Sequence, residues 1–285
     1  MTRSRALWAL FEPYHALTYF APEALQAFEE LGLRGFWRGY FAGRAAPLGP
    51  VGAGVVTACF YGFHPAFVAR ALPAIWATAG PDAGLAARLT GIDRAVHRLY
   101  PDMLGSPVFA ETSQLLRHSL EACQGAGRPL FSANMDLEWP GEPHLALWHA
   151  TTLAREHRGD GHVAALTANG VGPCEAHVLR LAADGSPLDT IQPYRGWSAD
   201  DWATSIEQLR NREWLDATGS LTAAGRAVRE EVEAATDRLA SEGLGHLSEA
   251  DHERLVAGLR MLTGRLVDAG EIPYPNPIGV PQPVR

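Results

Sequence analysis

Apolar residues recur every three to four positions along most of this chain. Segments 5–19, 22–31, 64–79, 83–100, 109–123, 144–157, 173–183, 198–213, 223–241 and 248–268 each carry such a stripe, most of them bounded by Gly or Pro, so the pattern predicts a mainly helical protein. Period-two alternation, the mark of a half-buried strand, is scarce. The stretch from Gly125 to Pro143, broken by Pro129, Pro140 and Pro143, holds no periodic pattern and divides the chain. This gives an aromatic-rich helical half over 1–128, a linker over 129–143, a second helical half over 144–270, and an extended segment over 271–285 with Pro273, Pro275, Pro277, Pro281 and Pro283.

The two halves share blocks in the same order. His15-Ala16-Leu17-Thr18 answers to His149-Ala150-Thr151-Thr152, and the Arg38-Gly39 to Gly43-Arg44 run to Arg158-Gly159 and Gly161-His162. Gly52 and Gly54 then match Gly170 and Gly172, and Pro65–Arg70 lies against Glu175–Arg180. An internal duplication is the reading. It is lopsided: where the second copy has His162, Glu175 and His177, the first has Arg44, Pro65 and Phe67.

The clearest local architecture runs from Gly196 to Ala240. Ser198 with Asp201 is a capping box, and Trp202, Ile206 and Leu209 share a helix face. The segment 214–222, with Thr218-Gly219 at its tip, predicts a short hairpin, and Thr222 caps the long helix that follows. Helix, wing, helix is the order of a winged helix-turn-helix, and this run resembles the MarR-like regulators, down to Leu221-Thr222-Ala223-Ala224-Gly225-Arg226 opening the last helix. As a whole the chain is similar to an uncharacterised helix-turn-helix family of high-GC bacteria, through its Tyr40–Gly49 and Arg158–His162 blocks. That second resemblance implies no function. The predicted fold is mainly α with a small β-wing, in two related helical halves, the second containing a MarR-like winged helix.

Charge changes the picture that this resemblance implies. The predicted recognition helix, 198–213, sets Asp200, Asp201, Glu207 and Glu213 against Arg210 and Arg212, and the whole chain carries a net charge of −8. Phosphate neutralisation supplies most non-specific DNA affinity, so DNA is not the expected partner. All 24 basic residues are Arg, which excludes lysine chemistry such as a Schiff base or a P-loop and points to a GC-rich bacterial gene. Cys59, Cys123 and Cys174 are widely spaced with no CxxC, so neither a disulfide framework nor a cysteine metal site is expected. The Met1–His15 stretch lacks an apolar signal core, no run of roughly 20 apolar residues offers a membrane span, and a cytoplasmic protein is expected.

The candidate chemistry sits in the second half. A helix over 144–157 places His149, Thr152 and Glu156 on one face, and a turn at Arg158-Gly159-Asp160-Gly161 would fold His162 back towards them. A His–carboxylate pair of this kind suits general acid–base work, so His149, Glu156 and His162 are the catalytic candidates, with Arg158, Asp160, Glu175 and His177 beside them. The alternative is a solvated helix end with local ion pairs. His157, Asp160 and His162 match no metal motif, and no metal is assigned. Cofactor and oligomeric state are unassigned. The first half supplies aromatic walls, with Tyr40, Tyr61, His15 and His64 as polar tips and Arg44 on a glycine-flanked turn to meet a carboxylate or phosphate. The alternative there is an aromatic core. The expected function is binding of an apolar or aromatic small molecule, extending to an enzyme of specialised metabolism, on a winged-helix scaffold that has lost DNA binding. The other reading is a ligand-responsive MarR-type regulator.

Overall fold

A computed structural model gives the fold of residues 1–283. The first part of the chain forms α1 (Arg3–His15), α2 (Leu17–Phe20), α3 (Pro22–Glu30), α4 (Phe36–Ala45), α5 (Ala53–Phe60), α6 (Pro65–Ala69) and α7 (Ile75–Thr78). Three more helices, α8 (Pro81–Leu99), α9 (Val108–Glu121) and α10 (Pro129–Met135), lead to α11 (Pro143–Ala168). The rest is α12 (Pro173–Asp184), α13 (Ala199–Asn211), α14 (Ala223–Ala240) and α15 (Glu249–Asp268). Local rules explain most boundaries. Proline stands in the first turn of α3, α8, α10, α11 and α12, where its missing N–H costs nothing. Ser198, Thr222 and Ser248 cap α13, α14 and α15 with their hydroxyls.

Helix α11, about 39 Å long at 1.5 Å per residue, is the axis of the molecule. Its first half, through Leu147, Trp148 and Leu153, packs into a core with α1, α8, α9 and α15. Its second half, through Ala165 and Leu166, joins a separate core with Trp202 of α13 and Val232 of α14. A third core is rich in aromatic rings, holding Phe28, Tyr40, Phe41, Phe60 and Phe63 among aliphatic side chains such as Leu33, Val56 and Leu72.

The fold corrects four sequence expectations. Among the described residues there is no strand or sheet, and the expected wing is a tight turn closed by one antiparallel bridge between Leu215 and Leu221. Asp216 pinches it, accepting from the N–H groups of Thr218 at 2.8 Å and Ser220 at 3.0 Å, and Thr222 already caps α14, so no residues remain for a returning strand. The turn expected at 158–162 does not exist: α11 runs straight through Gly159 and Gly161. Each interior glycine costs a helix about 1 kcal/mol, and at Gly161 close packing offsets it. A Cβ there would stand 3.0 Å from Arg128 Nη1 and 3.2 Å from Leu239 Cβ. Finally, 129–143 is not a plain linker. Pro129–Met135 is a helix with Leu130, Phe131 and Asn134 buried, and its Phe131 N–H donates to Asp160 Oδ2 of α11 at 2.9 Å. Arg44, expected on a turn, lies in the last turn of α4.

The segment after α15 wraps the body. Ile272 and Val280 bury against Ala16, and Glu271 pairs with Arg98 at 2.7 Å. Among the described residues no helix is long and apolar enough to cross a membrane.

Candidate functional site

A cavity of about 330 Å³ opens between the aromatic core and the side of α11. Residues one and two turns apart on α11, Arg155, Arg158, Gly159, His162, Val163 and Leu166, form its long wall. Facing them are Tyr40 and Arg44 of α4 and the turn that ends α5, Phe60 to Phe63. Tyr61 in that turn has φ 51° and ψ −64°, a strained conformation for a side chain of its size, held by its hydroxyl donating to the Val171 carbonyl. The next residue, Gly62, accepts at its carbonyl from His177 Nε2 at 2.8 Å and Trp197 Nε1 at 2.9 Å, tying the aromatic wall to α12. Residues Ile278 and Gly279 complete the enclosure.

Arginine dominates the polar lining. Glu156, 1 % exposed, stands just behind the wall. Its carboxylate takes Arg44 Nε at 3.0 Å and Nη2 at 3.2 Å, and Arg155 Nη1 at 2.7 Å. Burial pushes its pKa up, but the Arg155 and Arg44 guanidiniums outweigh that and hold it down at about 2. Arg158 lies 2.9 Å from Asp237 and stacks over the Trp8 ring. His162 Nδ1 meets Thr236 Oγ1 at 2.9 Å, and burial pulls its pKa down to about 4. His177 is pulled down to about 3, again by burial. Both imidazoles are therefore neutral near pH 7. Glu12, whose pKa burial raises, and Glu233 are the carboxylates on the lining.

Beside this space, a void of about 20 Å³, the size of one water, is lined by His15, Tyr40, Arg44, Thr152 and Glu156. The Thr152 hydroxyl donates to the Trp148 carbonyl at 3.0 Å, so it accepts from His15 Nδ1 at 3.0 Å. The other ring nitrogen then accepts from the Tyr19 hydroxyl, also at 3.0 Å. His15 is thus neutral with its proton on Nδ1, in keeping with a pKa driven well down by burial.

Of the expected site residues, Arg44, Tyr40, Tyr61, Arg158, His162 and His177 line the cavity, with Glu156, His15 and Thr152 directly behind it. The expected meeting of His149, Glu156 and His162 does not occur. With α11 unbroken, His162 sits six residues past Glu156 and points to Thr236, while His149 packs edge-on against Trp139 at 4.7 Å. Its Nε2 is buried without a partner, and burial lowers its pKa to about 3. Asp160 faces α10, accepting from the Phe131 N–H, and burial raises its pKa to about 6. Glu175 caps α12 through the Gly172 N–H at 2.7 Å and pairs with Arg212. His64 caps α6, accepting from the Ala66 N–H at 3.1 Å. Nor do His157, Asp160 and His162 converge: His157 lies with Cys123 and Glu242.

Arg155, Arg180, Arg195, Arg229, Trp8 and Glu12, all on the cavity wall, are not among the site residues expected from sequence. Arg155 was legible, since Arg155, Arg158 or Gly159, and His162 fall at helical spacing once α11 is carried through its glycines. Arg195 had no such signal, lying in the irregular stretch between α12 and α13.

No curated protein and no solved structure matches the chain significantly. A model of a helix-turn-helix family matches residues 4–273, a span that holds every cavity wall except Ile278 and Gly279, and the chain belongs to that helix-turn-helix family.

Proposed function

We propose that this protein is a cytoplasmic small-molecule-binding protein of specialised metabolism, holding an apolar or aromatic ligand in the α11 cavity. In this reading the helix-turn-helix body serves as scaffold and has given up DNA. The observation that carries it is the cavity, whose volume of about 330 Å³ falls in the range of about 300–1,000 Å³ typical of ligand sites. Aromatic rings face a few polar groups across it, among them Arg44, Arg158, His162 and His177. The basic residues at the C-terminal end of α13, Arg210 within it and Arg212 just past it, support the loss of DNA binding, because both are engaged within the chain. Arg210 donates to the Asp216 and Ala217 carbonyls; Arg212 donates to the Gly170 carbonyl and stacks over Trp214. Three unpaired cysteines are in keeping with a reducing compartment. An origin of the two halves by duplication belongs to the same reading.

Membership of a helix-turn-helix family favours a second reading, a ligand-responsive regulator of MarR type. One pair of measurements separates the two. The neutral apolar fluorophore N-phenyl-1-naphthylamine should bind with one-to-one saturation, and Val163→Trp, which fills the cavity, should abolish the signal while leaving the circular dichroism spectrum unchanged. DNA from upstream of its own gene should show no sub-micromolar gel shift at low salt. Tight binding to that DNA, lost in Arg210→Ala, would establish the regulator instead.

A further inference from the structure

Positive charge inside the cavity exceeds negative charge, and we propose that the ligand supplies the balance: a small organic acid with an apolar body, its single anionic group held between Arg195 and Arg180, its rings against Phe60, Tyr61 and Phe63. This rests on the ligand-binding reading above and adds the ligand's charge.

Six arginines line the space: Arg44, Arg155, Arg158, Arg180, Arg195 and Arg229. Five have a carboxylate within reach. Arg44 and Arg155 share Glu156, and Arg155 also has Glu12 at 3.7 Å; Arg158 has Asp237 at 2.9 Å, Arg229 has Glu233 at 3.7 Å, and Arg180 has the half-exposed Asp184 at 3.6 Å. Among the described residues Arg195, 7 % exposed, has none. Its Nη1 donates to the Tyr194 carbonyl at 3.1 Å and its Nη2 to the Pro277 carbonyl at 2.6 Å, while its face lies 4.8 Å over the Phe63 ring. Carbonyls and a ring face bring dipoles to a guanidinium, not a compensating charge. A guanidinium does not shed its proton in a protein, and a buried charge without a counter-charge is costly.

The neighbouring charges make matters worse for Arg195 alone and better for an anion. Arg195 grips Pro277, and Arg180 Nη1 lies 2.8 Å from where a Cβ on Gly279 would stand. The two guanidiniums thus close on the same three-residue stretch at the cavity's edge. Burial, together with repulsion from Arg180, Arg44 and Arg155, brings the Arg195 pKa down to about 10, so these cations feel one another across a common space. A carboxylate or sulfonate placed there would meet a planar fork of donors with aromatic walls behind it. One unmatched cation calls for one negative charge; a phosphate monoester, with about two at neutral pH, overshoots.

The test compares two dyes on the full chain. 8-Anilinonaphthalene-1-sulfonate carries one acid group; N-phenyl-1-naphthylamine has the same arylaminonaphthalene body without it. The wild type should bind the sulfonate at least about tenfold more tightly, the size of one charge-assisted contact. Arg195→Gln should remove that advantage and leave the neutral dye within about twofold of its wild-type affinity, a loss again set by that one contact. Because Arg195 also ties down Pro277, Arg180→Gln serves as the second variant and should weaken the sulfonate selectively with an unchanged thermal midpoint. Equal affinity for both dyes, or a sulfonate indifferent to both substitutions, overturns the anion proposal while ligand binding stands. Failure of both dyes to bind the wild type overturns the ligand-binding reading itself.

Discussion

Helix α11 has two polar faces that look alike in sequence and differ in what lies opposite them. On the cavity face, Arg155, Arg158 and His162 reach Glu156, Asp237 and Thr236. On the packed face, Asp160 takes the Phe131 N–H, His157 lies 3.3 Å from Glu242 and His149 sits against Trp139. Nearly every polar group on both faces is hydrogen-bonded, so satisfaction does not tell a site from a scaffold. Space does. The cavity face looks into about 330 Å³, whereas on the packed face Gly161 leaves no room for a methyl group.

The sharpest way to break this contrast is at the seam between the faces. Glu156→Ala leaves Arg44 and Arg155 buried without their shared counter-charge, and should lower the unfolding free energy by about 3–5 kcal/mol in urea titrations. If stability held within about 1 kcal/mol while dye binding vanished, Glu156 would belong to the ligand and not to the wall.

Acid should strike both faces together. His149, His162 and His177 have folded pKa values of about 3 to 4, depressed by burial from the ordinary 6.5, so the unfolded chain binds the extra protons first. Their contribution is complete above pH 6.5 and is lost progressively as the pH falls towards 4. Asp160, raised to about 6 by burial, and Glu12, raised by the same cause, work in the opposite direction, their contribution being lost as the pH rises through their folded values, but the histidines outnumber them. Thermal midpoints should therefore fall steadily between pH 6.5 and 4. A flat profile there would mean that these imidazoles are not buried neutral.

The smallest effect is the cleanest comparison. A Cβ on Gly159 would stand an ordinary 3.7 Å from its nearest neighbours, Arg155 and Glu156, so Gly159→Ala should stabilise by about 0.5–1 kcal/mol through helix propensity. Gly161→Ala gains the same propensity and meets Arg128 and Leu239, so it should come out about 1 kcal/mol worse than its neighbour two residues away. Equal values from denaturant melts would erase the distinction between the faces.

Much of the helical framework was legible in sequence, because capping residues and apolar stripes act locally: Ser198, Thr222 and Ser248 begin helices where their chemistry says they should. Glycine misled where packing overruled propensity. Reading Gly159 and Gly161 as a turn bent His162 back onto Glu156, and the expected trio rested on that bend. Helix α10 was hidden for another reason, since the acceptor that satisfies its Phe131 N–H is Asp160, 29 residues away. Of the residues at the cavity that sequence found, Arg44 is a lone charge in the apolar run Phe41–Leu48, whereas His162, with Glu156 just behind the wall, belongs to the dense polar block 155–162. Arg195 was missed because nothing near it in the chain announces that it will be buried; only the tertiary fold brings Phe63 and Pro277 to it.

The cavity's fence begins with Trp8 and finishes with Gly279. Walls drawn from such distant stretches are closed by contacts of high sequence separation, which form late relative to local helices. During synthesis the helices can coil as they emerge, whereas the enclosure waits until the segment beyond α15 has been made and laid across it. A single nick in that segment would leave the helical spectrum nearly intact and silence the dye, which makes dye uptake a gauge of a wholly assembled chain.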